Sequence, residues 1–103
     1  MFGTVETVRS GFAEMSNANM GEVAITKNVS EGLNAIVAAL GLKAGDNVVL
    51  CPDLEHPNNV YPWLHLRERL GVEVRTISGN SGNMPVQEMI TAMDERTRCV
   101  TVA

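Results

Sequence analysis

Apolar residues along the chain follow two alternating patterns. Over residues 4–16 they recur every three or four positions, at Val5, Val8, Phe12 and Met15. This spacing is typical of an amphipathic helix. A short run rich in β-branched residues follows at 23–26, between two turn-rich segments. That run predicts a first buried strand.

The same two patterns continue over the rest of the chain. Apolar spacing at helical period predicts further helices at 30–40, 64–70 and 85–94. Apolar or β-branched runs predict further strands at 48–51, 72–77 and 98–103. Gly41 and Gly71 follow two of these helices, where glycine readily takes the left-handed conformation that ends a helix. Pro85 stands near the start of the last helix, a position that proline tolerates.

Strands that alternate with helices of about ten residues are typical of βαβ units, whose parallel sheet is covered on both faces. We therefore predict an α/β fold with a mostly parallel four-stranded sheet flanked by helices, as a single domain over residues 1–103. In such folds ligands bind beyond the carboxyl ends of the strands. Two polar loops follow predicted strands, "TKNVSEG" at 26–32 and "CPDLEHPNN" at 51–59. Binding chemistry is expected there.

Composition narrows the class of partner. The net charge is −4, and eight Lys and Arg residues are scattered along the chain, which argues against binding to nucleic acid or to an anionic membrane surface. The sequence has neither a signal-peptide pattern nor an apolar span of about 18 residues. Cys51 and Cys99 lie in apolar runs, as buried thiols do in reducing compartments. We expect a cytoplasmic protein with a small-molecule or protein partner.

The first polar loop permits two interpretations. Asn28 is a good N-cap and Glu31 stands three residues later, so a capping box accounts for both. Alternatively, the amides of Val29 and Ser30, together with the Ser30 hydroxyl, bind an anion at the positive end of the helix dipole. Gly32 would then permit close approach of that ligand. The residues of this loop alone leave both interpretations open.

The second loop gathers side chains of several chemistries. A zinc site at Cys51, Asp53, His56 and His65 is not favoured, because neither a CxxC nor an HxxxH pair supplies the usual spacing. A nucleophilic pair of Cys51 and His56 lacks an evident oxyanion hole. His56 also fits an ordinary surface imidazole held extended by the proline after it. Pro62 fits the first turn of the next helix. We therefore predict no metal site and assign no catalytic residue.

Taken together, the loops resemble a known family. The segment "ITKNVSEGLNAIVAALGLKAGDNVVLCPDLEHPNNVYPW" contains a T-x-N-x-(S/T)-E-(G/A)-(L/I)-N box, a GD turn before a strand, and an E-H-x-x-N box that leads to P-W. With "DERTRCVTVA" further on, it resembles the class V aminotransferase family of fold-type I pyridoxal-phosphate (PLP) enzymes. That family includes cysteine desulfurases, selenocysteine lyases and isopenicillin-N-epimerase-like proteins.

The resemblance implies a fold and a set of roles. The chain would form part of the large domain of a fold-type I PLP-dependent transferase. The first box would bind the cofactor phosphate through Ser30 and the backbone of Val29 and Asn28, with Val29 standing where the family often has threonine. The histidine of the second box stacks on the pyridine ring, which assigns that role to His56.

The resemblance also implies what this segment lacks. The family's Schiff-base lysine, and the Asp and Gln that precede it, would lie beyond Ala103, and neither Lys27 nor Lys43 matches that lysine. We therefore expect a fragment of a PLP-dependent enzyme with amino-acid desulfurase, epimerase or transaminase chemistry. It would be inactive alone, and a homo-oligomer is expected. The alternatives are a non-catalytic α/β binding or dimerisation module derived from such a gene, or an unrelated α/β domain whose boxes are caps and turns.

Overall fold

The structure, a computed structural model, describes residues 2–102. Its helices and strands are, in chain order, α1 (Phe2–Met15), α2 (Val29–Ala39), β1 (Asn47–Leu50), α3 (Tyr61–Leu70), β2 (Glu73–Thr76), α4 (Val86–Ala92) and β3 (Thr97–Thr101). Short 3₁₀ turns occupy Met20–Glu22, Pro52–Leu54 and Pro57–Asn59. No helix within residues 2–102 has the length and apolar character needed to cross a membrane.

The helix ends follow the local signals in the sequence. The Asn28 side chain accepts a hydrogen bond from the Glu31 amide at 2.8 Å, so α2 begins at a side-chain cap. Gly41, just beyond α2, has a φ of 60°, and Gly71 at the end of α3 has a φ of 72°. Pro62 lies in the first turn of α3, where its missing N–H leaves no helical bond unmade. The predicted helices are therefore confirmed to within a few residues at their ends.

The strands form one parallel sheet with β1 at its centre, in the order β2-β1-β3. Val48 of β1 lies opposite Val74 on one side and Cys99 on the other. Because parallel neighbours must be joined by a crossover, α3 and α4 supply the connections between these strands. The predicted α/β class, with a parallel sheet flanked by helices, is confirmed.

The predicted number of strands is wrong. The sheet that the described residues form has three strands rather than four, because residues 23–26 do not pair with any strand. Their backbone is held by other groups: the Val23 carbonyl accepts from Arg9 Nε at 3.1 Å, and Thr26 Oγ1 donates to the Asn28 carbonyl. A β-branched run becomes a strand only when a neighbour completes its hydrogen-bond ladder. The predicted last strand ends at Ala103, which lies outside the described residues.

The core lies on both faces of β1, which is fully buried. One face of the sheet packs Val48 against Val37 of α2 and Trp63 of α3. The opposite face packs Val49 and Met89 of α4 together. A strand covered on both sides explains why residues 48–51 are continuously apolar instead of alternating. Burying each of these aliphatic side chains contributes about 1.5–3 kcal/mol to folding.

Candidate functional site

A cleft opens at the edge of the sheet where β1 and β3 end. Its wall is formed by the start of α2, the loop after β1 and the end of β3, through Val29, Leu33, Glu55, His56, Asn58, Asn59, Thr101 and Val102. Its volume of about 370 Å³ falls within the ~300–1,000 Å³ that is usual for small-molecule and cofactor sites. The cleft therefore lies where open α/β sheets bind their ligands.

The start of α2 presents backbone donors to this edge of the sheet. Asn28 satisfies the amide of Glu31, and the Asn28 carbonyl accepts from Gly32. By helix geometry the first-turn amides of Val29 and Ser30 have no acceptor within the helix. Both residues are exposed, as is the Ser30 hydroxyl-bearing side chain. Those two amides can therefore donate to an anion at the positive end of the helix dipole.

The glycine in this first turn lies beside Thr26. A Cβ atom added to Gly32 would lie 3.4 Å from Thr26 Oγ1 and 3.7 Å from Thr26 Cγ2. The side chain of Thr26 therefore lies at van der Waals distance from that position, and close approach of a ligand at Gly32 stays a prediction.

His56 stands at the corner of the second loop with its ring exposed. Its Nδ1 accepts a hydrogen bond from the Asn58 amide at 3.3 Å, and its carbonyl accepts from the Asn59 amide at 2.9 Å. Because Nδ1 accepts, the neutral ring carries its proton on Nε2. The proline-led turn Pro57–Asn59 thus holds the imidazole at the mouth of the cleft in a defined tautomer.

Asn59 is a site residue that sequence reasoning missed. Its buried amide oxygen accepts from Trp63 Nε1 at 3.1 Å and from Thr101 Oγ1 at 2.9 Å. Its amide nitrogen donates to the Glu55 carboxylate. Two signals in the sequence could have pointed to it: Asn59 is the last residue of the E-H-x-x-N box, and it stands four positions before the tryptophan.

The structure brings the four predicted cofactor-binding residues to one region, along two adjoining clefts. Val29 and His56 line the cleft described above, and Asn28 caps the helix beside it. Ser30 lines a neighbouring, more open depression of about 470 Å³ together with Tyr61 of α3. Asn58 contributes to both. The packing of α2 against the turn Pro57–Asn59 produces this arrangement.

The residues considered for zinc do not converge. Cys51 is 1% exposed and packs with Val49 and Met89 on the α4 side of the sheet. Asp53 Oδ2 accepts from the Gly79 amide at 2.7 Å, which links the loops after β1 and β2. His65 lies on α3, which packs on the opposite face. Within residues 2–102 no group of three His, Cys, Asp or Glu side chains is placed to hold a metal ion.

Comparison with known proteins assigns the family. Residues 2–103 match the model of the family described as Aminotransferase class-V. The match covers nearly the whole chain. This chain therefore belongs to the class V aminotransferase family, as the two sequence boxes and the parallel α/β fold together indicate.

Within that family the chain is similar to cysteine desulfurases. It is 41% identical over 99 residues to a probable cysteine desulfurase of Methanothermobacter thermautotrophicus, an alignment that covers 95% of this chain and 24% of that protein. It matches the apo structure of the cysteine desulfurase of Thermococcus onnurineus with a TM-score of 0.68 and 35% identity, over 81% of this chain and 21% of that one.

A third similar structure is a C-DES mutant with glycine covalently linked to its PLP cofactor. That match has a TM-score of 0.79 at 23% identity, and it covers 93% of this chain and 26% of the other. At this identity the likeness shows the fold. PLP is thus the cofactor of a structural neighbour, and the chain spans about a quarter of the length of the relatives that it matches.

Proposed function

We propose that this chain forms the part of a PLP-dependent class V enzyme that holds the cofactor phosphate and covers the pyridine ring. The observation that carries the proposal is the shared cleft, in which the start of α2 and the His56 loop face each other at the carboxyl ends of β1 and β3. For the whole protein we propose cysteine desulfurase chemistry, since relatives of that description reach 41% identity. The substrate would then be an amino acid.

The start of α2 fits a phosphate group. The Val29 and Ser30 amides lack helical acceptors and the Ser30 hydroxyl is exposed, so three donors are available at the positive end of the helix. Asn28 holds the first turn in the geometry that presents them. Val29 contributes only its amide, because its side chain has no hydroxyl. The phosphate site proposed here is therefore built from backbone donors and one serine.

His56 fits the role of a ring cover. Its imidazole is flat, exposed and held at the mouth of the cleft by the Asn58 amide. Stacked on a pyridine ring, it would exclude water from one face, and its Nε2 would hold a proton beside the reacting substrate. When bound, PLP supplies the electron sink for carbanion chemistry at the substrate. The chain's own contribution is to bind, orient and shield that group.

We propose that neither lysine of this chain anchors the cofactor. The Lys27 ammonium lies 3.9 Å from the carboxylate of Glu31, in the first turn of α2. Lys43 lies in the turn before β1, at the opposite edge of the sheet, where its amide donates to Asp46. We therefore propose that the 103-residue chain by itself binds PLP without a covalent bond and does not turn over substrate.

Oligomerisation and location belong to the same proposal. Enzymes of this kind would work as homo-oligomers in the cytoplasm, with the amino-acid substrate and PLP as small-molecule partners. The chain's negative charge and scattered arginines support the absence of nucleic-acid and membrane partners. Sedimentation at several protein concentrations tests the oligomer directly.

Titration with PLP, followed by absorbance and protein fluorescence, tests the binding site. We expect Ser30→Ala and His56→Ala each to weaken binding about fivefold, the loss that corresponds to about 1 kcal/mol for one interaction. Ser10→Ala on α1, which lines neither cleft, is the matched control and should bind as the unmodified chain does. Pyridoxal, which lacks the phosphate, should bind to the unmodified chain more weakly than PLP does. Its affinity for Ser30→Ala should equal its affinity for the unmodified chain.

Two results would contradict the proposal. If PLP does not bind, or binds equally to Ser30→Ala and His56→Ala, the cleft is not a cofactor site, and a non-catalytic binding or dimerisation module becomes the better account. Borohydride reduction followed by mass analysis addresses the lysines. A single labelled lysine accompanied by turnover of cysteine would show that the chain is catalytically sufficient.

A further inference from the structure

We propose that Asn59 is a positioning residue, which fixes the Glu55–His56 corner over the cleft by tying it to the core and to β3. The inference rests on the proposed function, because it takes His56 as the residue that covers the ligand. Its physical basis is a network of side-chain hydrogen bonds that joins three separate parts of the chain at one buried amide.

The neighbours of Asn59 determine the orientation of its side-chain amide. Asn59 is 6% exposed. Trp63 Nε1 can only donate, so the oxygen of the Asn59 amide must face it, and Thr101 Oγ1 donates to the same oxygen. Both lone pairs of that oxygen are then in use. The amide nitrogen consequently points toward Glu55 and donates to its carboxylate.

Two of these partners are rigid, which makes Asn59 an anchor. Trp63 is 2% exposed and packs with Val37 and Val48 in the core between the sheet and its helices. Thr101 is buried at the end of β3, which pairs with β1. A side chain held by two immobile donors cannot change rotamer without leaving both of them unpaired. The orientation of the amide is therefore fixed by the core.

The bonds to Asn59 determine the position of the Glu55–His56 corner. Glu55 is bonded to the Asn59 side chain, and the His56 carbonyl accepts from the Asn59 backbone amide at 2.9 Å. Asn59 thus holds the chain on both sides of the His56 Cα, through the Glu55 side chain and the His56 carbonyl. Among the described residues, the exposed ring itself has one hydrogen bond, from the Asn58 amide. Without Asn59 the corner loses its tie to Thr101, and the ring loses its fixed distance from the opposite wall of the cleft.

Asn47, a second buried asparagine, provides a control that separates an effect on the position of His56 from an effect on stability. Asn47 is 1% exposed, donates to Asp94 at 2.9 Å and accepts from Thr97 Oγ1 at 2.7 Å, at the opposite edge of the same sheet. Asn47→Ala should therefore destabilise the fold to a degree comparable with Asn59→Ala. It should leave the cleft unchanged, because its bonds join only the amino ends of β1 and β3.

The experiment compares Asn59→Ala, Thr101→Val and Asn47→Ala in the full 103-residue chain. Thr101→Val keeps the shape of the side chain and removes one bond to Asn59, so it carries the test if Asn59→Ala does not fold. One readout is PLP affinity. The other readout is the ¹⁵N chemical shifts of the His56 ring, measured at a pH above the range in which histidine titrates. These shifts report the tautomer without any ligand.

We expect PLP affinity to fall about tenfold in Asn59→Ala and about threefold in Thr101→Val, which correspond to about 1.4 and 0.7 kcal/mol. In the unmodified chain the shifts should show Nδ1 unprotonated, and in both variants they should move toward the average of two tautomers. Asn47→Ala should lower the melting temperature and alter neither readout.

The outcomes separate this inference from the proposed function. If the unmodified chain fails to bind PLP, the proposed function is wrong, and the ¹⁵N comparison still decides whether Asn59 positions His56. If His56 shows the same tautomer and PLP the same affinity in Asn59→Ala, the inference is overturned. It is also overturned if Asn47→Ala changes both readouts as much as Asn59→Ala does, because Asn59 would then act only through stability.

Discussion

At the scale of single residues, a buried asparagine organises each end of the sheet. Asn59 lies at the carboxyl edge beside the cleft. Asn47 lies at the amino edge, where it donates to the Asp94 carboxylate. Asp94 also accepts from the Arg96 amide and pairs with Arg75 at 3.0 Å. The hydrogen bond from Asn47, then that from the Arg96 amide, and the nearby guanidinium of Arg75 lower the pKa of Asp94 to about 2.

This carboxylate makes stability depend on pH in a defined window. Because the pKa of Asp94 is lower in the folded chain (about 2) than its ordinary value of 3.8, the unfolded chain binds more protons between these values. The contribution of Asp94 is therefore complete above about pH 4 and is lost as the pH falls toward 2. In Asp94→Asn, urea unfolding measured from pH 6 to pH 2 should show lower stability at pH 6 and a shallower decline below pH 4.

Glu14→Gln on α1 is the control, because it removes the same charge far from Asn47 and Arg75. It measures the effect of net charge alone. If Asp94→Asn declines below pH 4 as steeply as the unmodified chain, the network at the amino edge does not contribute to acid stability.

At the scale of elements, the helices begin and end where the backbone requires particular residues. Gly71 closes α3 with a φ of 72°, a conformation that costs an L-residue about 1–2 kcal/mol. Directly after it, Val72 is buried in the core and β2 begins. The glycine therefore sets the direction in which the chain enters the sheet. Gly11, in contrast, lies inside α1 with open space around its Cα.

Alanine at these two glycines should have opposite effects. Gly71→Ala should lower the free energy of unfolding by about 1–2 kcal/mol, because the left-handed conformation becomes strained. Gly11→Ala should instead raise the helix content of α1, since alanine is favoured over glycine in a helix interior by about 1 kcal/mol. Chemical unfolding and far-ultraviolet circular dichroism measure the two effects. Equal destabilisation by both substitutions would contradict this account of the α3 end.

At the scale of the whole molecule, the chain is less compact than its length suggests. Its radius of gyration is 16.1 Å, against ~13 Å for a compact domain of about 100 residues. The apolar stripe of α1 contributes to this, because Phe12 is 60% and Met15 88% exposed. The helix is held mainly at its contact with the turn Met20–Glu22. Arg9 forms that attachment, donating to the carbonyls of Val23 and Met20.

Removing this attachment should loosen α1 without unfolding the sheet. In Arg9→Ala, hydrogen exchange at the α1 amides should become about fivefold faster, as expected from the loss of about 1 kcal/mol of hydrogen bonding. Exchange in β1 should not change. Arg67→Ala, on the exposed surface of α3, is the control. Faster exchange in both α1 and β1 would show that α1 and the sheet unfold together.

The sequence by itself determined the elements whose signals are local. Helical spacing, the Asn28 cap and the glycines at 41 and 71 placed the helices correctly, because the residues that decide a helix are close together in the chain. The continuous apolar run at 48–51 likewise identified a strand of the parallel sheet, which the structure places at its centre. The two boxes led to the family, which the match over residues 2–103 confirms. The single-domain organisation and the roles of Ser30 and His56 stay predictions.

Only the tertiary structure decided the features that join distant residues. Residues 23–26 have the composition of a strand, and they are not one, because a strand needs a neighbour that composition does not specify. Asn59 gains its role from Thr101, 42 positions away, and Asn47 from Asp94, 47 positions away. Such bonds depend on how the helices pack β3 beside β1. The periodic pattern of apolar residues in the sequence does not reveal that packing. The residues of the site can therefore be recognised in two local segments of the sequence, and the packing of the sheet brings those segments together.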